Sequence, residues 1–217
     1  MTRDTSNIAH RSETLNIVVL SLSALAITWC SYQSTLWSGI QTFRLARANA
    51  AYREAQEKLM RIIEHQILDG SVVVNFMNAV AANDTGKQRM YIERSRPEVG
   101  QILQSWAKQD PMHNKKVPVH PGATDEYRTL TNKSFAEVNK LKDDGGVLWD
   151  EAEQANMNSD NYVLITVVFS VIMFFCGVTA KLTNLQRAWV MNIISACILA
   201  FMLVVLITKM PYATRVM

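Results

Sequence analysis

Three apolar runs without a single Lys, Arg, Asp, Glu or His, at 15–32, 162–180 and 189–208, constrain this chain more than anything else in it. Each is about 18 to 20 residues, which at about 1.5 Å rise per helical residue spans about 27–30 Å, the thickness of a bilayer's hydrocarbon core. Over that depth only a helix satisfies its own backbone N–H and C=O groups, so the runs predict transmembrane helices. The first run has Arg3 and Arg11 ahead of it, as a signal peptide would, but it leaves through Trp29, Cys30, Tyr32 and Trp37 with no small-x-small cleavage pattern. An uncleaved signal anchor is the expectation.

Basic residues in the short flanks orient the spans. Arg3 and Arg11 precede the first, and Lys181 and Arg187 lie between the second and third, so both groups fall on one side of a three-span protein. The opposite side carries Asp150, Glu151, Glu153 and Asp160 just before the second span; Lys209 and Arg215 weigh mildly the other way. The expected layout is a cytoplasmic segment 1–14, span 15–32, an extracytoplasmic domain 33–161, span 162–180, a cytoplasmic loop 181–188, span 189–208 and a tail 209–217. The corresponding localisation is a bacterial inner (cell) membrane, multi-pass, N-terminus cytoplasmic.

The domain 33–161 holds 16 Lys/Arg against 17 Asp/Glu. Near-neutrality gives it no electrostatic reason to bind nucleic acid. Its pattern is helical. Ile40, Phe43, Ala48, Ala51, Ala55, Leu59, Ile62 and Ile63 recur mostly every three or four positions, with one step of five after Phe43. Arg44, Arg47, Arg53, Glu54, Glu57, Lys58, Arg61 and Glu64 fill the solvated faces, and Glu54–Lys58 and Glu57–Arg61 have favourable i,i+4 order. The first span is therefore expected to continue as one long helix. Gly70 is a possible break, with a further piece from Ser71 to Ala82 and a turn at Asn83-Asp84-Thr85-Gly86. Two shorter helices follow, Lys87 to Arg94 and Pro97 to Lys108, the second opening on a proline at the position where its missing N–H costs nothing. Asp110 to Gly122, with three prolines, is a loop. From Asp125 a second long helix, with Tyr127, Leu130, Phe135, Val138, Leu141 and Leu148 as apolar positions, runs into the second span; Gly145-Gly146 is its candidate hinge. The fold class is all-α: an integral membrane protein with three transmembrane helices and a helical-hairpin, coiled-coil-like extramembrane domain continuous with the first two spans.

Chemistry is sparse. His113 and His120 flank the Pro-rich loop, but a metal site needs three or four ligands at defined spacing and no Cys is near, so they read as an exposed pair; His65 reads as a stalk residue. Cys30, Cys176 and Cys197 lie in or beside the spans and behave as small apolar side chains. Asp143-Asp144 and Asp150-Glu151-x-Glu153 read as a solvated face. Phosphate loops, nucleophile elbows, H-E-x-x-H and paired C-x-x-C motifs are not in the sequence. Spans without charge argue against a coupled transporter or proton relay. The expectation is no enzyme, with catalytic, cofactor-binding and metal residues all none.

The most distinctive local pattern is Trp29, Tyr32, Gln33, Trp37, Gly39 and Gln41 at the outer end of the first span; Trp29, Gln33, Trp37 and Gln41 are spaced by four on one stripe. It reads either as an aromatic belt at headgroup level or as a contact stripe for another helix. Thr35-x-x-x-Gly39 and Ala196-x-x-x-Ala200 are small-x-x-x-small spacings that permit close helix approach.

Tyr32-Gln33, Leu36-Trp37-Ser38-Gly39 with Gln41, Arg96-Pro97-Glu98, Glu126-Tyr127 and Ser159-Asp160-Asn161-Tyr162-Val163-Leu164 together give a chain that resembles a group of uncharacterised bacterial inner-membrane proteins. The resemblance covers nearly the whole chain and implies the same three-span layout with a helical insert; it carries no activity. The functional expectation is a non-enzymatic membrane interaction or assembly protein, an accessory subunit or homo-oligomer, with the lipid bilayer and a second copy or another membrane protein as partners and no nucleic acid. One alternative is an oligomeric pore, with Thr28, Thr166, Ser170 and Ser195 as a weakly polar lining. Another is a ligand sensor working through the Pro-rich loop and the glycine pair.

Overall fold

A computed structural model describes residues 2–214; Arg215, which entered the charge balance, lies outside them, as do 216 and 217. Five helices occur among the described residues: α1 (Thr2–Ala81), α2 (Thr85–Arg94), α3 (Pro97–Ala107), α4 (Asp125–Thr179) and α5 (Leu185–Lys209). A short 3-10 turn spans Pro121–Ala123. No strand occurs among the described residues, and three helices, α1, α4 and α5, are long and apolar enough to cross a membrane.

Helix α1 contains the first apolar run and the polar run after it without interruption. Gly70 does not break it. A glycine inside a helix costs about 0.5–1 kcal/mol relative to alanine, and the buried residues around it, Asp69, Val73 and Phe76, hold the helix through that point. The helix ends where expected. Asn83 takes a left-handed φ of 52°, Asp84 N donates to Ala79 O and Asn83 N to Val80 O, the paired bonds that close a helix C-terminus. Asp84 then caps α2, its Oδ1 accepting from Lys87 N at 3.0 Å. That bond, reinforced by the Lys87 ammonium, lowers the Asp84 carboxyl from its ordinary value.

The chain forms two compact units, Met1–Ala46 with Leu148–Met217, and Arg47–Val147. In the first, the apolar bundle, the buried residues follow sevens: Val19, Ala26 and Gln33 on α1, Tyr162, Phe169 and Cys176 on α4, Asn192 and Leu199 on α5. That 3.5-residue period is the signature of helices wound side by side. The contacts fix their directions. Asn16 Nδ2 donates to Cys176 O at one end and Ser159 Oγ to Ser34 O at the other, so α1 and α4 are antiparallel. Asn192 Nδ2 donates to Ser12 O while Ala213 pairs with Gln33, so α5 and the segment after it run parallel to α1. Arg44 joins Glu151 at 2.9 Å across the antiparallel pair.

In the second, the polar unit, Phe76, Val73, Val99, Leu103 and Trp106 form the core, with the Phe76 and Trp106 rings 6.4 Å apart. Trp106 Nε1 donates to Pro118 O at 2.7 Å, which ties the Pro-rich loop to that core. Lys58 reaches both Glu54 and Glu137.

The inner face of α1 follows the run of apolar residues at Ala48 and Ala55, which are buried, and in part at Ile40, Ala51, Leu59 and Ile62, which are half-buried, but not at every position. Phe43 and Ile63, counted on it, are 60% and 41% exposed. The buried phase passes through Ala48 and Ala55 from half-buried Arg44, whose ion pair with Glu151 makes a charged residue tolerable there. The step of five after Phe43 arises because Phe43 faces outward.

Candidate interaction surface

The stripe at the end of the first apolar run divides. Trp29 and Tyr32 are half-exposed and pack on each other, ring centroids 6.0 Å apart. Gln33 is buried and turned the other way: its Oε1 accepts from Ala213 N at 2.8 Å and its Nε2 donates to Ala213 O at 3.4 Å. Trp37 Nε1 donates to Pro211 O at 3.1 Å, and Tyr162 Oη donates to the same oxygen at 3.1 Å. Three polar side chains from α1 and α4 therefore seize the extended residues after α5, satisfying backbone groups that have no helix to serve them. Gln41 lines a shallow cleft with Leu45, Trp149, Ala152, Glu153 and Asn156. Gly39 is exposed, and a Cβ there would meet nothing within 4 Å.

A second polar constellation, not singled out from the sequence, lies in the polar unit. Asp69 of α1 is buried; Arg96, which precedes α3, donates from Nε to its Oδ1 at 3.2 Å and from Nη2 to its Oδ2, and Tyr127 Oη donates to Oδ2 at 3.3 Å. The fork-to-carboxylate bonding holds the Arg96 guanidinium above its ordinary value. Burial, then the Asp69 charge, pushes the Tyr127 phenol up. The carboxylate spends its lone pairs on donors of its own chain, which makes it a clasp joining α1, α3 and α4. The sequence did carry a signal: Ala48, Ala55, Ile62, Asp69 and Phe76 are spaced by sevens, and a carboxylate in that buried register requires a partner.

Gly145 and Gly146 lie inside unbroken α4. A Cβ at Gly145 would stand 3.1 Å from the Tyr52 ring, whereas one at Gly146 would meet only Tyr52 Oη at 3.9 Å. The first glycine makes room for an aromatic ring. His113 Nδ1 lies 3.0 Å from Asp110 Oδ1 in the exposed loop, and no group of three or more potential metal ligands occurs among the described residues. The hydroxyls of Thr28, Thr166 and Ser170 bond carbonyls four residues back on their own helices, and Ser195 is buried.

An exposed apolar feature of the polar unit lies on α1. Met60, Ile63, Ile67 and Leu68 line one shallow groove with Glu64, and the four apolar side chains are 41–68% exposed. Arg53, Gln56, Glu57 and Arg61 line a second groove that shares Met60.

No family model matches the sequence, and no curated protein or solved structure proves similar to it, so the resemblance read from the short motifs rests on those motifs alone.

Proposed function

We propose that this protein crosses a bacterial inner membrane three times, at 15–32, 162–180 and 189–208, and serves as a non-enzymatic assembly protein, an accessory subunit or a homo-oligomer. Its N-terminus is cytoplasmic and its helical hairpin, 33–161, extracytoplasmic. The observation that carries the reading is the exposed Met60–Leu68 face. A polar helical unit that buries Phe76, Leu103 and Trp106 has no reason of its own to leave four large apolar side chains of one helix in water, and contiguous patches of that kind mark contact sites. The alternating helix directions of the apolar bundle support three crossings, and the Arg11 and Lys181–Arg187 flanks support the orientation.

Native mass spectrometry of the protein extracted from its own membrane in mild detergent tests this reading. A closed homo-oligomer, or a different protein retained at fixed ratio, is the expected result. A bare monomer under conditions that keep other membrane complexes whole overturns it.

A further inference from the structure

We infer that the apolar bundle holds an internal water molecule between Asn16 and Asn192, at the end where α1, α4 and α5 meet through polar side chains, whatever the chain assembles with. Asn16 Nδ2 donates to Cys176 O at 3.2 Å, and Asn192 Nδ2 donates to Ser12 O and Ser12 Oγ, both at 3.0 Å. A backbone carbonyl only accepts, so these bonds fix which way each amide is turned. The atom left over on each side chain is therefore the oxygen. Asn16 Oδ1 and Asn192 Oδ1 are both buried without a hydrogen-bond partner among the described residues, and Asn192 as a whole is 1% exposed. A buried acceptor left dry is costly, and nowhere more than in an apolar bundle.

Two acceptors call for one donor with two protons. Ser12 and Asn16 are one turn apart on α1, their Cβ atoms about 5–6 Å from each other, and Asn192 is bonded to Ser12, so both amides belong to the same turn of the bundle. Ser195, buried one turn on from Asn192, offers a hydroxyl to the water's own oxygen, which completes the roughly three bonds that an internal water makes. Small side chains frame the layer. Its buried residues include Ser12, Thr179 and Ser195, where the next layer has Val19, Ile172 and Leu199.

Ser23 shows why the pair matters. Its Oγ is also buried without a partner among the described residues, but it lies seven residues beyond Asn16, about 10 Å along the helix, with no second such atom beside it. An internal water needs two to four polar partners, and Ser23 alone does not supply them. Charge excludes the other occupant, a monovalent cation. No carboxylate is buried among the described residues of the apolar bundle, while Arg11, Lys181 and Arg187 all stand exposed at this end. A neutral donor suits that field, and a buried positive charge does not.

X-ray footprinting of the full chain in mild detergent, read by mass spectrometry, is the test. Hydroxyl radicals made from a bound water attack the side chains beside it even where bulk solvent does not reach. The chain carries its own control, since Cys176, next to Asn16, and Cys30 are 1% and 0% exposed. Cys176 should oxidise at least tenfold faster than Cys30, and Asn16→Leu combined with Asn192→Leu should bring it down to the Cys30 rate. N-ethylmaleimide should label Lys181→Cys, an exposed position at the same end, and leave Cys176 untouched over the same time. Equal oxidation of the two buried cysteines in the wild type overturns the water, with no variant needed. An undiminished Cys176 rate in the double variant overturns its position between the amides. Maleimide labelling of Cys176 overturns it in favour of an end that opens to bulk solvent. A Cys176 rate that changes when sodium chloride replaces choline chloride overturns it in favour of a cation.

Discussion

Gln33 and Ala213 form a two-way amide pair, Ala213 N donating to Oε1 at 2.8 Å and Nε2 donating to Ala213 O at 3.4 Å, 180 residues apart in sequence. A primary amide is the side chain that does this, since it offers a donor and an acceptor with the spacing of a peptide group. Gln33→Leu keeps the bulk and loses both bonds, at a cost of about 1–2 kcal/mol, which converts to a roughly 5–30-fold larger population of released tail. Limited trypsin digestion checks this at exposed Lys209: clipping there should accelerate by that factor in Gln33→Leu and less in Trp37→Phe, which loses only the bond to Pro211. Equal clipping rates in Gln33→Leu and the wild type would remove the amide pair from any role in holding the tail.

The Asp69–Arg96 pair is unevenly buried, the carboxylate side chain 5% exposed and the guanidinium 35%. Deleting either partner strands the other, and the stranded carboxylate is the more expensive. Arg96→Met should therefore destabilise the polar unit by about 3–5 kcal/mol. Asp69→Leu should cost about 2–3 kcal/mol, because water screens the half-open Arg96. The double variant should melt above both singles. Thermal unfolding followed by circular dichroism gives the order, and a double variant less stable than both singles would contradict the clasp.

Helix positions were legible in the sequence because they follow from local chemistry: the apolar runs, the capping turn at Asn83-Asp84 and Pro97 at a helix start all sit where the residues place them. Which face of each helix turns inward was less so. Phe43 looks like core by hydropathy, yet the inward register passes through Arg44, because the ion pair with Glu151 depends on a residue more than a hundred positions away. Gln33 belonged to a recognisable stripe, but its partner is a backbone segment with no motif. Asp69 escaped notice among many carboxylates, since only its sevenfold register with Ala55, Ile62 and Phe76 sets it apart.

Tyr127 makes the polar unit sensitive to alkali. Burial and the neighbouring Asp69 carboxylate raise its folded-state value above the ordinary one near 10. A phenol held neutral in the fold contributes stability that is fully present below the unfolded value and lost as pH rises through the folded one. Stability should thus be flat through neutrality and fall from about pH 10 upward. Tyr127→Phe should lose about 0.5–1.5 kcal/mol at pH 7, the worth of its bond to Asp69, and lose less than the wild type between pH 9 and 11. Chemical unfolding at a series of pH values checks this; parallel wild-type and variant curves would show that Tyr127 does not titrate with unfolding.

Gly145 and Gly146 are adjacent, and a hinge would need both, whereas packing needs one. A Cβ at Gly145 enters the space of the Tyr52 ring at 3.1 Å, with Cζ and Cδ1 at 3.2 and 3.3 Å, so the ring must shift. Gly145→Val should destabilise by about 1–3 kcal/mol, the usual cost of overpacking. Gly146→Ala, with only Tyr52 Oη at 3.9 Å to meet, should stabilise by about 0.5–1 kcal/mol through helix propensity. Tyr52→Ala should relieve much of the Gly145→Val penalty by opening the space the valine needs, an interaction of the size that contacting residues show in double-mutant cycles. Melting temperatures of the four variants decide the matter. Opposite signs at the two glycines, with rescue by Tyr52→Ala, assign Gly145 to ring packing; losses of similar size at both, with no rescue, would point to a hinge.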